Sequence, residues 1–204
     1  MWPLLARSFI WLSEQVALSA MPFFVERLLR RFGADGSIVS KTWDLGSGYD
    51  VDEDRRGAME SNRQFLTKLV VDEKYQPEPG GRTFCNLALI AYAHTFGITC
   101  FDDKVANDIC NTASDHPDFT IETDPERVMK HAANGGFAFA GKRGEKHGHV
   151  AAVFPGPLVY SGSWKRSVPM LANVGKSNGI MPCSMAFSVK DSPPDYYLYK
   201  VGSV

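Results

Sequence analysis

The sequence has no excess charge of either sign. Lys and Arg number 22 against 23 Asp and Glu, a net of −1, which excludes the global electrostatics of a general nucleic-acid binder. It has no CxxC pair. Its four cysteines, Cys85, Cys100, Cys110 and Cys183, are widely spaced, which excludes a zinc knuckle or ribbon. Four is still compatible with two disulfides in an oxidising compartment or with four reduced thiols, one of them reactive. An EF-hand is absent as well. The acidic run 50–54 starts like a calcium loop, but Arg55 and Ser61 stand where the loop needs glycine and glutamate. There is no internal repeat and no low-complexity tract.

A long uninterrupted hydrophobic run is also missing. Residues 1–32 are apolar and aromatic, but Arg7 and Glu14 interrupt them, Pro22 follows, and Arg27, Arg30 and Arg31 close the segment. A membrane-spanning helix wants about 20 apolar residues with few or no charges. Three readings stand: an amphipathic helix packing on its own domain or on a partner, a signal peptide or anchor with a faint small-residue site at 17–20, and a helix lying in a membrane interface.

What is present fits one globular domain with an extension. With 204 residues, 44% of them hydrophobic, such a chain buries about 70% of its unfolded surface. The 18 glycines and 12 prolines point to a turn-rich fold. Residues 33–53 read as loop, and a helix with a broken apolar stripe is expected over about 54–73. A Pro/Gly break at 76–81 marks the start of the compact domain. The organisation expected is therefore a hydrophobic helix at 1–32, a linker plus helix at 33–79 and the functional domain at 80–204.

Beyond the break, helical patterning comes first. An apolar helix follows Thr83 as its cap and ends at Gly97. A short helix spans 105–112, with Asp102 and Asp103 as caps. A third begins with Asp124 as N-cap and Pro125 at the first position, and ends at 134–136. The period then drops to two, giving strands at 137–140, 148–154, 168–174, 184–189 and 196–199. Helices followed by antiparallel strands make an α+β fold.

Chemistry concentrates at two places. Cys85 lies in the first turn of the apolar helix, after two glycines; the partial positive charge of a helix N-terminus favours a thiolate. His149 opens an apolar strand after the stretch 141–148. An imidazole there, opposite a cysteine at a helix start, can take the thiol proton and later protonate a leaving amine. Asn173, inside the apolar stretch 169–175, is a candidate to orient that imidazole, because a buried amide needs hydrogen-bond partners; a turn or capping role is the alternative. The backbone N–H of Asn86 can serve an oxyanion or cap the turn. Tyr160, Trp164, Tyr196 and Tyr197 are candidates to line a groove, or to sit in core or rim. Asn107 and His147 read as structural and surface residues.

The order of these segments resembles a known family. Thr83-Phe84-Cys85-Asn86, then Ala132-Ala133-Asn134-Gly135-Gly136, the run 148–156 (GHVAAVFPG), the run 169–175 (PMLANVG) and a closing Ala186-Phe187 resemble the CHAP and NlpC/P60-like cysteine peptidoglycan hydrolases of phages and bacterial cell walls. The resemblance covers about residues 80–200. It implies a papain-like fold, N-terminal helices packed on a C-terminal antiparallel sheet. It implies Cys85 as nucleophile, His149 as general base, Asn173 as orienting residue, and Asn86 and Trp164 as substrate contacts, with no metal or cofactor. The implied substrate is an amide bond of peptidoglycan, cut by an amidase or endopeptidase in the periplasm or at the cell wall, from a virion or after host lysis. The implied partners are peptidoglycan and, through residues 1–32, phage or secretion-assembly proteins or a membrane, with no nucleic acid. A docking component with a hydrolase-like domain and a Cys–His acyltransferase or protease remain alternatives.

Overall fold

A computed structural model of the chain describes residues 51–187 and 193–200. The expected helix at 1–32 lies outside the described residues, as does most of the loop that follows it.

Helix α1 spans Val51–Val71. It is longer at its start than the broken stripe suggests, and only its second half carries core residues: Leu66 is fully buried, with Leu69 and Val70 beside it. A 3₁₀ turn, Glu73–Tyr75, follows, with Asp72 accepting from the Lys74 N–H as its cap. The segment 76–82 is a loop, where composition puts the start of the functional domain. The helix before it nonetheless shares one core with the elements after it, since Leu66, Leu69 and Val70 pack in the same cluster as Cys85, Leu89 and Val150.

Helix α2 is Cys85–His94; its N-cap position is Phe84 and no side chain caps it, so Thr83 does not play the expected role. Helix α3 is Ala106–Asp115, capped at Val105 without a side-chain bond. Asp102 instead holds His94, Nε2 to Oδ1 at 2.6 Å. Strand β1, Phe119–Glu122, was not expected from the sequence. Helix α4, Pro125–Ala133, has Asp124 as N-cap, its side chain accepting from the Glu126 N–H, as the Asp-Pro signal implies.

The remaining strands are β2 (Ala138–Lys142), β3 (His149–Val153), β4 (Val159–Ser161), β5 (Arg166–Val168), β6 (Met170–Asn173), β7 (Gly179–Pro182) and β8 (Asp195–Tyr199). Pro169 divides the single strand expected at 168–174, since proline donates nothing to a ladder. The expected strand at 184–189 is corrected too: Cys183–Ala186 forms a helical turn, α5. Cys183 and Phe187 are both buried while Met185 is 71% exposed, a four-residue spacing that suits a helical turn and not a strand. Residues 188–189 lie outside the described residues.

Six strands form one antiparallel sheet in the order β1-β8-β2-β3-β6-β7, and β4 pairs with β5 as a separate hairpin. Alternation along each strand divides the core in two. Phe139, Val150, Ala152 and Ala172 face the cluster built with α1, α2 and α3. Ala138, Ala140, Ala151, Val153 and Leu171 face the cluster built with Val128, Met129 and Ala132 of α4, together with Cys183 and Phe187. The fold is α+β, with helices in the N-terminal part and an antiparallel sheet in the C-terminal part. Among the described residues no helix is long and apolar enough to cross a membrane.

Candidate active site

The site forms where these two packed faces come to an end. Cys85 is the first residue of α2, which lies against β3, and is only 8% exposed. The backbone N–H groups of Val150, Asn86 and Cys85 itself are near enough to favour its thiolate. Burial pushes the thiol up from its ordinary value, and the three N–H groups pull it back toward the thiolate.

His149 is the first residue of β3, one position before Val150. Strand parity puts it with Ala151 and Val153, on the face opposite Cys85. Its ring rests on Phe187, centroids 5.0 Å apart. Because it stands at the strand end, it reaches the same cavity as the thiol, a cleft of about 1110 Å³ whose wall includes Cys85, Asn86, His149 and Asn173.

Asn173 closes β6, the strand beside β3, and is 5% exposed. Its Nδ2 donates to the Ser177 carbonyl at 2.6 Å. That bond fixes which way the amide faces, and its Oδ1 accepts from His149 Nε2 at 2.7 Å. The imidazole therefore carries its proton on Nε2 when neutral, and Nδ1 holds the basic lone pair. Burial holds the His149 pKa below its ordinary 6.5, with the Asn173 bond opposing. The buried thiol and the half-buried imidazole thus both favour their neutral forms at neutral pH.

Cys85, Asn86, His149 and Asn173 line one cleft, with His149 and Asn173 in direct contact. Asn86 donates its side-chain amide to the Lys104 carbonyl at 2.9 Å, which ties the chain before α3 to the start of α2. Trp164 is elsewhere. It packs on the second core cluster beneath the Arg166 guanidinium, 5.3 Å from its ring, and is not on the cleft wall. Tyr196 and Tyr197 are core residues, and Tyr160 is exposed.

Other residues at the site carry no sequence signal of their role. Continuing the β3–β6 register sets Gly175 opposite His149, where an added Cβ would lie 3.3 Å from His149 Cε1 and 3.5 Å from Asn173 Nδ2. Asn178 reads from sequence as a turn residue. It clamps that turn instead, accepting from the Gly175 N–H and donating to the Tyr75 carbonyl, both at 2.9 Å. Asn107 grips the loop before His149 twice: Nδ2 donates to the Gly144 carbonyl at 2.9 Å and Oδ1 accepts from the Gly144 N–H at 3.1 Å.

All four cysteines are free thiols. Burial raises Cys110 and Cys183 to about 11, which leaves neither suited to nucleophilic work. Among the described residues no three His, Cys, Asp or Glu side chains group as metal ligands would. No known family model and no curated protein matches the chain.

Proposed function

We propose that this protein is a cysteine hydrolase of amide bonds that acts on peptidoglycan outside the inner membrane. The observation that carries the chemistry is the hydrogen bond between His149 Nε2 and Asn173 Oδ1, 2.7 Å, beside a cysteine at a helix N-terminus in the same cleft. A structural histidine can be satisfied by a backbone carbonyl, as His131 is by Phe137. A general base needs a partner that sets its tautomer before it acts.

His149 Nδ1 takes the Cys85 thiol proton as sulfur attacks the amide carbon. A C–S bond forms, and the carbonyl oxygen becomes an oxyanion held by the Cys85 backbone N–H at the start of α2 and a neighbouring donor. Collapse breaks the C–N bond, and His149 gives the proton to the leaving amine. Water, deprotonated by His149, then attacks the thioester; the C–S bond breaks, releasing the acid and restoring the thiol. Peptidoglycan as the substrate is supported by the order and spacing of the segments around Cys85 and His149, and by a cleft open enough for a branched peptide.

The test compares wild type with Cys85→Ala and His149→Ala on purified sacculi, reading turbidity loss and the masses of released products. Wild type is expected to release peptides, with both variants folded and at least a hundredfold slower. Wild-type protein inert on sacculi of several chemotypes would sink the peptidoglycan assignment. Variants as active as wild type would sink the mechanism.

A further inference from the structure

We propose that the cleft selects substrates bearing a carboxylate close to the scissile amide, held by Lys146, Lys176 and Arg82; this rests on the cysteine-hydrolase reading above. The chain as a whole carries nearly equal numbers of acids and bases. The cleft wall does not: among the described residues it holds these three cations and neither an Asp nor a Glu. Glu145 and Asp108, sequence neighbours of wall residues, are themselves off the wall.

Two of the cations have no acidic partner among the described residues. Lys146 and Lys176 are exposed and form no ion pair among the described residues. Arg82 is paired loosely with Glu78, 3.9 Å, and covers the Phe84 ring at 5.3 Å. A surface lysine on a wandering loop would say little, but both lysines stand on braced loops. Asn107 holds the 143–148 loop at Gly144. The 174–178 turn is held by Asn173 at Ser177 and by Asn178 at Gly175. Asn173 also holds His149, so the backbone carrying Lys176 is tied to the imidazole, and both lysines share the cleft wall with Cys85. Pre-placed charge costs little reorganisation when an anion binds.

The same wall also carries exposed apolar side chains. Val105 is 58% and Met185 71% exposed, and both line the cleft with Met181. The ligand chemistry that fits is an aliphatic acyl or amine portion ending in a free carboxylate, as in an acidic amino-acid residue or the C-terminus of a short peptide.

The experiment measures alkylation of Cys85 in the full chain at pH 7.5 by iodoacetate and by iodoacetamide, located by peptide mass spectrometry. In each case a C–S bond forms and iodide leaves; the reagents differ in one negative charge. Wild type is compared with Arg82→Gln/Lys146→Gln/Lys176→Gln, its fold checked by circular dichroism. At low salt the iodoacetate-to-iodoacetamide rate ratio is expected to fall on the order of fivefold per charge that faces the anion, and the wild-type ratio to collapse at high salt. A ratio unchanged by the triple substitution would overturn the proposal while leaving Cys85 as the nucleophile. A Cys85 no more reactive than Cys110 and Cys183 toward either reagent would overturn the nucleophile itself, and the proposal with it.

Discussion

Asn173 Oδ1 accepts the Nε2 proton of His149 at 2.7 Å while its Nδ2 is held by the Ser177 carbonyl at 2.6 Å. Each bond fixes the next. The Ser177 carbonyl can only accept, so the amide nitrogen must face it; the amide oxygen then faces the ring, and the ring must donate from Nε2. A proton-transfer group is thereby set by a backbone carbonyl four residues beyond the amide.

Removing that chain should damage turnover more than binding. Asn173→Ala deletes a hydrogen bond to a ring that becomes cationic during the reaction, the kind worth about 1.5–3 kcal/mol, so kcat is expected to drop roughly 10- to 100-fold with a smaller change in KM. Asn173→Asp keeps an acceptor and adds a negative charge beside the imidazole. It should restore part of kcat and move the acidic limb of the pH profile upward. Steady-state kinetics across pH decide it; wild-type kcat in Asn173→Ala would remove Asn173 from the mechanism.

The pH dependence of the wild type follows from burial at the site. His149 must be neutral to take the thiol proton, and burial holds its pKa below 6.5. The rising limb of kcat/KM is therefore expected below pH 6.5, and not in the 7–8 range of a histidine paired with a carboxylate. Because burial also raises Cys85, a thiol–imidazole pair rather than a preformed ion pair is the resting state. The pH profile of kcat/KM checks this: a rising limb centred above 6.5 would contradict the assignment.

A second half-buried histidine sets an acid limit on stability. His131 Nε2 meets the Phe137 carbonyl at 3.0 Å, in the bend between α4 and β2. A Cβ at Gly136 would collide with its ring. Burial lowers its pKa, as it does that of His149. Below the unfolded value of 6.5 the unfolded chain binds protons that the folded chain refuses, so unfolding free energy falls with pH until the folded values are passed. Above 6.5 this contribution is fully present. Urea midpoints measured from pH 4.5 to 8 should decline below about 6.5, and less steeply in His131→Gln. A decline of equal slope in the variant would assign the loss to other groups.

Much of this was readable in the chain, for local reasons. Asp124-Pro125 writes a helix start in two residues, whereas a cysteine after two glycines at the head of an apolar helix reads equally as a core residue until His149 is set beside it. Asn173 stands out as an amide in an apolar run. What escaped depends on pairs distant in sequence. The stripe of α1 looks broken because its core contacts, Phe65, Leu66, Leu69 and Val70, all lie in its second half. Trp164 looks like a groove aromatic, yet the β4–β5 hairpin carries it onto the second cluster. The turn at 183–186 alternates like a strand, and only the burial of both Cys183 and Phe187 reveals its period. The bracing by Asn107 and Asn178 joins residues 37 and 103 positions apart, which no motif encodes.

Gly175 is the most economical place to test the geometry of the site without touching its chemistry. It has no side chain, and the register that sets it opposite His149 explains why. A methyl there would lie 3.3 Å from His149 Cε1 and 3.5 Å from Asn173 Nδ2, tighter than ordinary contact on the ring side. Neither neighbour yields easily: the ring is held by Asn173 and backed by Phe187, and the amide is held by Ser177. Gly175→Ala should therefore displace the imidazole by a few tenths of an ångström, lowering kcat on the order of tenfold while costing stability only about 1 kcal/mol. Gly57→Ala is the control. Gly57 lies within α1 with open space where its Cβ would be, so the substitution should leave kcat alone and stabilise by about 0.5–1 kcal/mol. Kinetics and chemical denaturation on both variants separate the two effects. Full activity in Gly175→Ala would mean that the ring position seen here is not the one that turns over.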